Sequence, residues 1–357
     1  MIDVNVANKT PPVYPYVLGF VPPEVSPYVH LMNAFLLVLI YIFGVLENGI
    51  ILAIFAKNKN LRSATNTFII AMALGDFSLC FFGIPLSSTS SMAGRWIWGD
   101  LGCMIEGFIV YFIGMANMYI LMAVSLDRYL VISRPLLGSK ITVKVAILAV
   151  IACVAGGLFW TVVPFFGWSR YTPEGVGTTC SVTWTDKDAA TTSYNISIFI
   201  FCYLVPVGTM IVAYYKLLDT VRNVAKNTVW DMNSRMARKN LRIERKMAKS
   251  FMVIIAVFVF SWTPYCIVCF VGIFGDIHVI PPALQTLPAI CAKSASVWDP
   301  IVYVATNKQL RIGFYNILPC DELKKILMKR EEGRVETTSE ASVGGDNKGG
   351  NAVNPAS

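Results

Sequence analysis

The stretch that decides the fold is residues 282–305, PALQTLPAICAKSASVWDPIVYVA, an apolar segment with Lys293 near its centre. At about 1.5 Å per residue, a helix over this segment places Lys293 about 16 Å from its start, too far for the side chain to reach either membrane surface. A lysine at this depth is costly unless its charge is paired or removed, so it indicates a function. A desolvated amine suits imine formation with an aldehyde. A buried ion pair and a transport-site cation are the alternatives.

Six other stretches are also long and apolar enough to span a membrane. The chain of 357 residues is 55% hydrophobic and 15% charged, with a mean hydropathy of +0.58, which is too apolar for an ordinary soluble domain. No stretch alternates with period two over ten residues, as the strands of a membrane barrel do. The sequence predicts an all-α membrane protein, a seven-transmembrane-helix bundle with spans near residues 31–56, 67–92, 103–126, 145–168, 194–218, 250–274 and 282–305.

Basic residues mark alternate connections between these spans. The first, third and fifth connections and the segment after residue 305 are rich in Lys and Arg, whereas the opposite side has only Lys9, Arg95, Arg170 and Lys187. Cytoplasmic loops carry such an excess, so we expect a multi-pass protein of the cell membrane with its N-terminus outside and its C-terminus in the cytoplasm. The net charge of +8 then reflects topology and membrane lipid, and it does not indicate a nucleic-acid partner.

Four regions follow from this topology. They are an extracellular tail (1–30), the membrane domain (31–305), an amphipathic cytoplasmic helix (306–320) and a largely disordered cytoplasmic tail (321–357). Asn8 begins an Asn-Lys-Thr triplet, a glycosylation acceptor on the outer side. Cys320 follows the amphipathic helix and is a candidate for palmitoylation, with a free surface thiol as the alternative.

Two of the nine cysteines, Cys103 and Cys180, are expected on the outer side. Cys103 begins the third span and Cys180 lies in the long loop after the fourth. The oxidising exterior permits a disulfide between them, which would tie the loop across the mouth of the bundle.

Three short motifs lie at definite depths in the predicted bundle. They are Asp127-Arg128-Tyr129 at the end of the third span, Ser261-Trp262-Thr263-Pro264 within the sixth, and Asp299-Pro300-Ile301-Val302-Tyr303 at the end of the seventh. In this order they resemble the rhodopsin-like family of G-protein-coupled receptors over about residues 30 to 320. Lys293, six residues before Asp299, narrows the resemblance to opsins, which bind retinal (11-cis or all-trans) through that lysine.

A cation on Lys293 needs a carboxylate nearby to keep its proton in a low-dielectric pocket, and two glutamates are candidates. Glu106 lies three residues after Cys103 and points into the bundle, whereas Glu174 lies in the loop six residues before Cys180. Opsins use both positions: vertebrate visual opsins the helix position, and opsins that keep retinal in both light states often the loop position. We expect one acid to be ionised and the other protonated or linked through water. A solvated loop residue is the alternative for Glu174.

Aromatic side chains at one depth are expected to line the pocket: Tyr111, Phe112, Phe165, Phe166, Phe201, Phe258, Trp262 and Tyr265. Helix-spaced aromatics are ordinarily core, so Trp262 and Tyr265 are the main candidates. Trp262 lies beside Pro264, which kinks a helix, and is placed to pass a movement of the polyene to the sixth helix.

The resemblance also implies a signalling route on the cytoplasmic side. Arg128, flanked by Asp127 and Tyr129, would pair with Glu244 at rest, and opening this pair would admit a heterotrimeric G protein. Two tyrosines match positions that support the open state: Tyr214 and Tyr303. Asn307-Lys308-Gln309 favours a Gi, Go or transducin-like partner, and the Ser/Thr-bearing tail fits arrestin and a receptor kinase.

Asp299 precedes Pro300 where the family usually has asparagine, and we expect it near Asp76 and Asn117 at mid-depth. Two buried acids suggest a shared proton or a bound sodium ion. Carboxyls in apolar surroundings neutralise readily, which favours the proton.

Together these features predict a light-activated receptor, and not an enzyme, that carries retinal covalently and activates a G protein on photoisomerisation. The alternative is a retinal photoisomerase of the peropsin or retinochrome type, because residues 264–311 resemble peropsins. A chemically gated receptor without retinal is the third hypothesis, and Lys293 disfavours it.

Overall fold

The computed structural model describes residues 18–61, 63–226, 235–317 and 319–331. Side chains at 224–226, 235–244, 246, 247 and 308 fall outside this description. The part up to Tyr303 and the part from Val304 onward are two compact units, and each is described by itself.

The first unit is built from long helices that follow the predicted spans. They are α1 (Pro27–Lys57), α2 (Ala64–Met92), α3 (Gly99–Ser133), α4 (Val143–Phe166), α5 (Ala189–Ile198, Phe199–Leu204 and Val205–Lys226), α6 (Arg235–Phe274) and α7 (Pro282–Thr306). Short helical turns lie between them at Lys59–Leu61, Pro135–Gly138 and Ile277–Val279. Within the described residues α1 to α6 are each long and apolar enough to cross a membrane; α7, with its buried Lys293 and Asp299, is not among these six.

Polar side chains set several helix starts. Ser63 accepts a hydrogen bond from the Asn66 backbone at the start of α2, Thr142 from Val145 at the start of α4, and Asp188 from Thr191 at the start of α5. Each cap satisfies a backbone N–H that the first helical turn leaves unpaired. The hydrogen bond from the Thr191 backbone N–H stabilises the charged form of the Asp188 carboxyl and so lowers its pKa.

Two helices contain a π-helical turn, Leu79–Gly83 in α2 and Phe199–Leu204 in α5. Such a turn inserts a residue into the helical register and so changes which face the following residues present. In α2 the following stretch presents Ser87 and Ser90, both fully buried, to the interior. The insertion therefore helps to place hydroxyl groups where α2 meets its neighbours.

A β-hairpin lies between α4 and α5. Strand β1 (Tyr171–Glu174) pairs antiparallel with β2 (Thr179–Val182), with Glu174 opposite Thr179. A disulfide joins Cys180 in β2 to Cys103 in α3, with 5.4 Å between the Cα atoms, which confirms the predicted pair. The hairpin is thus fixed to the end of α3, and all four residues of β2 are buried.

Lys187, in the connection between β2 and α5, reaches the end of α6. Its Nζ donates to the backbone carbonyls of Gly272 at 2.5 Å and Ile273 at 2.7 Å. A cation on the last carbonyls of a helix also favours the negative end of the helix dipole. This contact ties one end of α6 to the segment that follows the hairpin.

The second unit contains α8 (Lys308–Ile317) and a further helical stretch at 321–331. The amphipathic helix was predicted to run to residue 320, and residues 321–331 were predicted to belong to a disordered tail. The difference has a physical cause: Arg311 in α8 donates to Glu331 at 2.9 and 2.5 Å, and both side chains are buried. This ion pair gives the second stretch a fixed partner that composition does not reveal.

Candidate functional site

Lys293 is 3% exposed and donates to three groups at once. Its Nζ lies 2.9 Å from Glu106 Oε1 and 3.4 Å from Ser87 Oγ, and it also donates to Thr179 Oγ1. An ammonium group has three N–H donors, so each has an acceptor in this arrangement. The buried charge of Lys293 is therefore paired directly with Glu106.

Glu106 is fully buried and accepts hydrogen bonds from α2 and β2 in addition to the one from Lys293 of α7. Ser87 of α2 donates to Oε1 at 2.7 Å, the Cys180 backbone N–H donates to Oε2 at 2.6 Å, and Thr179 donates to Oε1 at 3.3 Å. Hydrogen bonds of this kind favour the charged form of a carboxyl. The sequence did not indicate that residues of the hairpin would donate hydrogen bonds to Glu106, because this depends on the register between β1 and β2.

Glu174 has a different set of partners. Ser181 Oγ and Tyr265 OH donate to Glu174 Oε2 at 2.7 and 3.0 Å. Desolvation raises the pKa of the Glu174 carboxyl, although the Ser181 hydrogen bond and the charge of Lys293 oppose it. Strand β2 connects to both acids, since Thr179 and Cys180 donate hydrogen bonds to Glu106 whereas Ser181 donates one to Glu174.

A narrow apolar cavity lies between α3, α5 and α6, with a volume of about 50 Å³ open to a water-sized molecule. Trp262, Tyr265 and Tyr111 line it as predicted. The lining also includes residues that were not predicted, among them Trp184, Cys202, Cys266 and Cys269. Cys266 and Cys269 follow Trp262 at helical spacing, so this face of α6 was a usable signal.

Five of the predicted aromatic residues are absent from the lining: Phe112, Phe165, Phe166, Phe201 and Phe258. Phe165, Phe166 and Phe201 are 49%, 83% and 52% exposed, because they lie on outward faces of α4 and α5. Phe258 is buried but stacks on Trp262 from one turn away, with the ring centroids 5.7 Å apart. Depth alone therefore did not decide which aromatic rings face the cavity.

Trp262 packs against bare backbone at Gly114. A Cβ atom at Gly114 would lie 2.5 Å from the indole ring, a distance that real contacts do not reach. Trp262 also meets Tyr265 edge to face at 6.1 Å, and its ring N–H is buried without a partner in the described part of the chain. The indole is held by α3 on one side and by its own helix on the other.

The residues present fit a retinal group. Lys293 offers an amine, Glu106 offers the opposite charge, and the apolar cavity is lined by Trp262 and Tyr265. Ala292, next to Lys293, packs in the same apolar cluster as Tyr265. An imine at Lys293 would lie beside the charged Glu106, and the apolar polyene would lie along the apolar cavity.

Arg128 is buried at the other end of α3. It pairs with Asp127, with Nε 2.9 Å from Oδ2, and its Nη2 donates to Thr65 Oγ1 at 2.5 Å. Tyr129 is partly buried beside this pair. The backbone at 244 is helical within α6, but the side chain of Glu244 lies outside the described residues, so the predicted pair stays a prediction.

The two tyrosines of the predicted signalling route make weak local contacts. Tyr214 OH donates to the Ala248 carbonyl at 3.4 Å, which connects α5 to α6. Tyr303 OH donates to Met72 Sδ at 3.3 Å, which connects α7 to α2. Both side chains are buried, so a change of partner would require these helices to move.

Asp76, Asn117 and Asp299 lie at mid-bundle and are buried, as is Pro300. Asn117 Nδ2 donates to Asp76 Oδ1 at 2.8 Å. The other oxygen of Asp76 and Oδ1 of Asp299 have no partner among the described residues. Over the same residues, no group of three or more His, Cys, Asp or Glu is placed to hold a metal ion.

The two modification candidates lie elsewhere. Asn8 falls outside the described residues. Cys320 is exposed just before the helical stretch 321–331, so its thiol is accessible in the second unit.

Residues 47–303 match the family model described as 7 transmembrane receptor (rhodopsin family). The chain is 32% identical over 333 residues to Melanopsin-A of Danio rerio, a match that spans 92% of this chain and 56% of that relative. It is also 32% identical over 291 residues to the visual pigment-like receptor peropsin of Mus musculus, which spans 82% of this chain and 85% of the relative. The crystal structure of squid rhodopsin superposes with a TM-score of 0.78 at 27% identity and covers 91% of this chain and 97% of that one.

The chain therefore belongs to the rhodopsin family of seven-transmembrane receptors. Its similarity to melanopsins, peropsins and squid rhodopsin places it among the opsins of that family. It is thus a multi-pass membrane protein, as the composition predicted.

Proposed function

We propose that this opsin is a light-sensitive receptor that holds retinal as a Schiff base on Lys293 and activates a heterotrimeric G protein after photoisomerisation. One observation carries the proposal: a buried lysine lies 2.9 Å from the buried carboxylate of Glu106. The aromatic cavity is connected to the second acid, because Tyr265 lines the cavity and donates to Glu174. Retinal, when bound, supplies light absorption and a change of shape. The chain supplies the amine, the counter-charge and the contacts that report the change.

Glu106 is the primary counterion in this proposal. Glu174 is the second acid, with a pKa that desolvation raises and with Oε2 bonded to Tyr265. The cavity wall would sense the chromophore through Trp262 and pass its movement along α6. At the far end of α3 the Arg128–Asp127 pair supports signalling, with Glu244 as the resting partner and a Gi, Go or transducin-like protein as the coupled class. Positive charge on alternate connections supports an extracellular N-terminus and a cytoplasmic C-terminus.

Further roles complete the proposal. Asp76 and Asp299 share a proton that a sodium ion could replace, because one oxygen of each acid lacks a partner among the described residues. Asn117 donates to the other oxygen of Asp76. Asn8 is a glycan acceptor and Cys320 a palmitoylation site. Arrestin and a receptor kinase end the signal.

The test is reconstitution with 11-cis and all-trans retinal separately, followed by absorption spectra and nucleotide exchange on a purified G protein before and after light. We expect a pigment whose light reaction raises exchange. Borohydride reduction followed by peptide mass spectrometry should find retinal on Lys293. Lys293→Arg is the matched control, because it keeps a cation beside Glu106 but cannot form an imine. A pigment that survives this substitution would refute the attachment site.

A second function is favoured by the similarity to peropsin over 85% of that relative. A retinal photoisomerase would bind all-trans retinal preferentially, release the isomerised product and show no light-dependent exchange. The same reconstitution separates the two, because only the receptor changes the rate of nucleotide exchange.

A further inference from the structure

Asn33 and Ser90 are buried polar residues without a partner in the described part of the chain. Both are 0% exposed; the Asn33 amide uses neither its oxygen nor its nitrogen, and the Ser90 hydroxyl is equally unpaired. Leaving a buried polar group unsatisfied costs about 1–3 kcal/mol. Buried groups of this kind are ordinarily satisfied by ordered water. Two such residues on adjacent helices indicate a hydrated space.

Two contacts fix the antiparallel register of α1 and α2. A Cβ at Gly44 would lie 2.3 Å from Cys80 Sγ, and a Cβ at Gly94 would lie 3.7 Å from the His30 ring. Counting inward from His30 places Asn33 level with Ser91, and Ser90 next to it on the same helix. His30 is itself only half-buried, and its Nδ1 has no partner among the described residues. The polar groups without a partner among the described residues therefore run from the partly exposed His30 inward to Asn33 and Ser90.

Hydroxyl groups extend this series to Lys293. Ser91 Oγ donates to Thr178 Oγ1 at 3.1 Å, and the next residue, Thr179, contacts Lys293 and Glu106. Ser87, one turn deeper than Ser91 on α2, donates to Glu106 at 2.7 Å. Polar groups thus lead from the surface to the amine.

Apolar side chains pack at the inner end of this row of polar residues. Leu37, Ile40 and Ile84 form one buried cluster with Cys80 and Ile290. These side chains lie between α1, α2 and α7, from the level of Ser87 inward in the same register. Water that enters beside His30 would reach the Lys293–Glu106 pair and go no further.

We propose that His30, Asn33, Ser90 and Ser91 line an internal water path between α1 and α2 that leads to Lys293 and Glu106. This water path adds to the proposed function, and its role in the chemistry of the imine rests on that function. Freeing a lysine from a protonated imine consumes one water: the water oxygen becomes the aldehyde oxygen, the carbon–nitrogen bond breaks, and both water protons end on nitrogen. The path would bring that water to Lys293 and exchange protons there with the outside.

Substituted-cysteine labelling of the full-length protein without retinal, in lipid nanodiscs, tests the path directly. Ser90→Cys is to be treated with a small water-soluble methanethiosulfonate, and the rate followed by peptide-resolved mass spectrometry. Ser88→Cys is the matched control, because Ser88 is a buried serine on the opposite face of α2 whose hydroxyl bonds the Pro85 carbonyl. We expect Ser90→Cys to react at least about tenfold faster, since one unit of thiol pKa changes the thiolate fraction tenfold.

Asn33→Leu in the Ser90→Cys background should slow labelling about tenfold by replacing a hydrated amide with an apolar group of similar size. If Ser90→Cys does not fold, Asn33→Cys takes its place against the same control. Equal rates for the two serine positions, or no effect of Asn33→Leu, would overturn the path. Because no retinal is present, fast labelling in a protein that later fails to form a pigment would refute the proposed function and leave the path standing.

Discussion

At the scale of single residues, the two glutamates differ in what their oxygens bind. Glu106 meets the Lys293 amine, whereas Glu174 meets two hydroxyl groups. Glu106→Gln removes the charged partner from a buried ammonium, and such a loss costs about 3–5 kcal/mol. We expect a large fall in the thermal stability of the retinal-free protein and, after reconstitution, a strong blue shift near neutral pH.

Glu174→Gln is the matched control for this prediction, since it removes the other acid and keeps the shape. Its effect on stability and spectrum should be clearly smaller. A larger shift for Glu174→Gln than for Glu106→Gln would contradict the assignment of the primary counterion, and no shift in either variant would exclude both.

The raised pKa of Glu174 predicts a dependence of stability on pH. An acid whose pKa is higher in the folded state binds more protons there, so stability falls as pH rises from the unfolded value of about 4.3 to the raised folded value. Above that window the loss is complete. The difference in melting temperature between wild type and Glu174→Gln, followed from about pH 4 to 8, should therefore move in favour of the variant as pH rises. A pH-independent difference would argue against a buried, desolvated carboxyl.

At the scale of elements, the contact between α3 and α6 depends on the missing side chain of Gly114. Gly114→Ala would drive a methyl group into Trp262, and overpacking of this kind costs about 1–3 kcal/mol. We expect a lower melting temperature and a displaced indole, seen as a change in tryptophan fluorescence. Gly208→Ala is the control, because a Cβ there meets nothing within 4 Å. Equal effects of the two substitutions would remove the steric account.

At the scale of the whole molecule, Thr65 joins α2 to the buried Arg128 of α3. Thr65→Val removes a hydrogen bond to a charged group, worth about 1.5–3 kcal/mol. If the resting state alone contains this bond, basal nucleotide exchange should rise roughly tenfold or more. Thr67→Val is the control, since the Thr67 hydroxyl donates to the nearby Ser63 carbonyl of its own chain segment and not to Arg128 among the described residues. Unchanged basal exchange in Thr65→Val would show that the bond does not hold the resting state.

Much of this architecture could be predicted from the sequence, because apolar length and basic connections depend on local composition. The Lys293 site and the Cys103–Cys180 disulfide followed from a charge in an apolar span and from the predicted sidedness. Glu106 and Glu174 were the two predicted partners of Lys293, but the choice between them could not be predicted, since the hairpin register brings Thr179 and the Cys180 backbone to Glu106. The cavity lining was wrong for Phe165, Phe166 and Phe201, whose direction depends on helix rotation.

The helix at 321–331 was missed because the Arg311–Glu331 pair that holds it is a tertiary contact.

Because Lys187 is bonded to the carbonyls at one end of α6, that end is held while the other end of the helix can move about Pro264. Pro264 lies eight residues from the held carbonyl of Gly272, about 12 Å along the axis, whereas residue 244 lies twenty residues away on the other side, about 30 Å. A rotation about Pro264 therefore moves the distant arm more than twice as far as the anchored one. In the proposed receptor, the short arm beside the cavity would receive the movement of the chromophore, and the long arm would carry it to the cytoplasmic side.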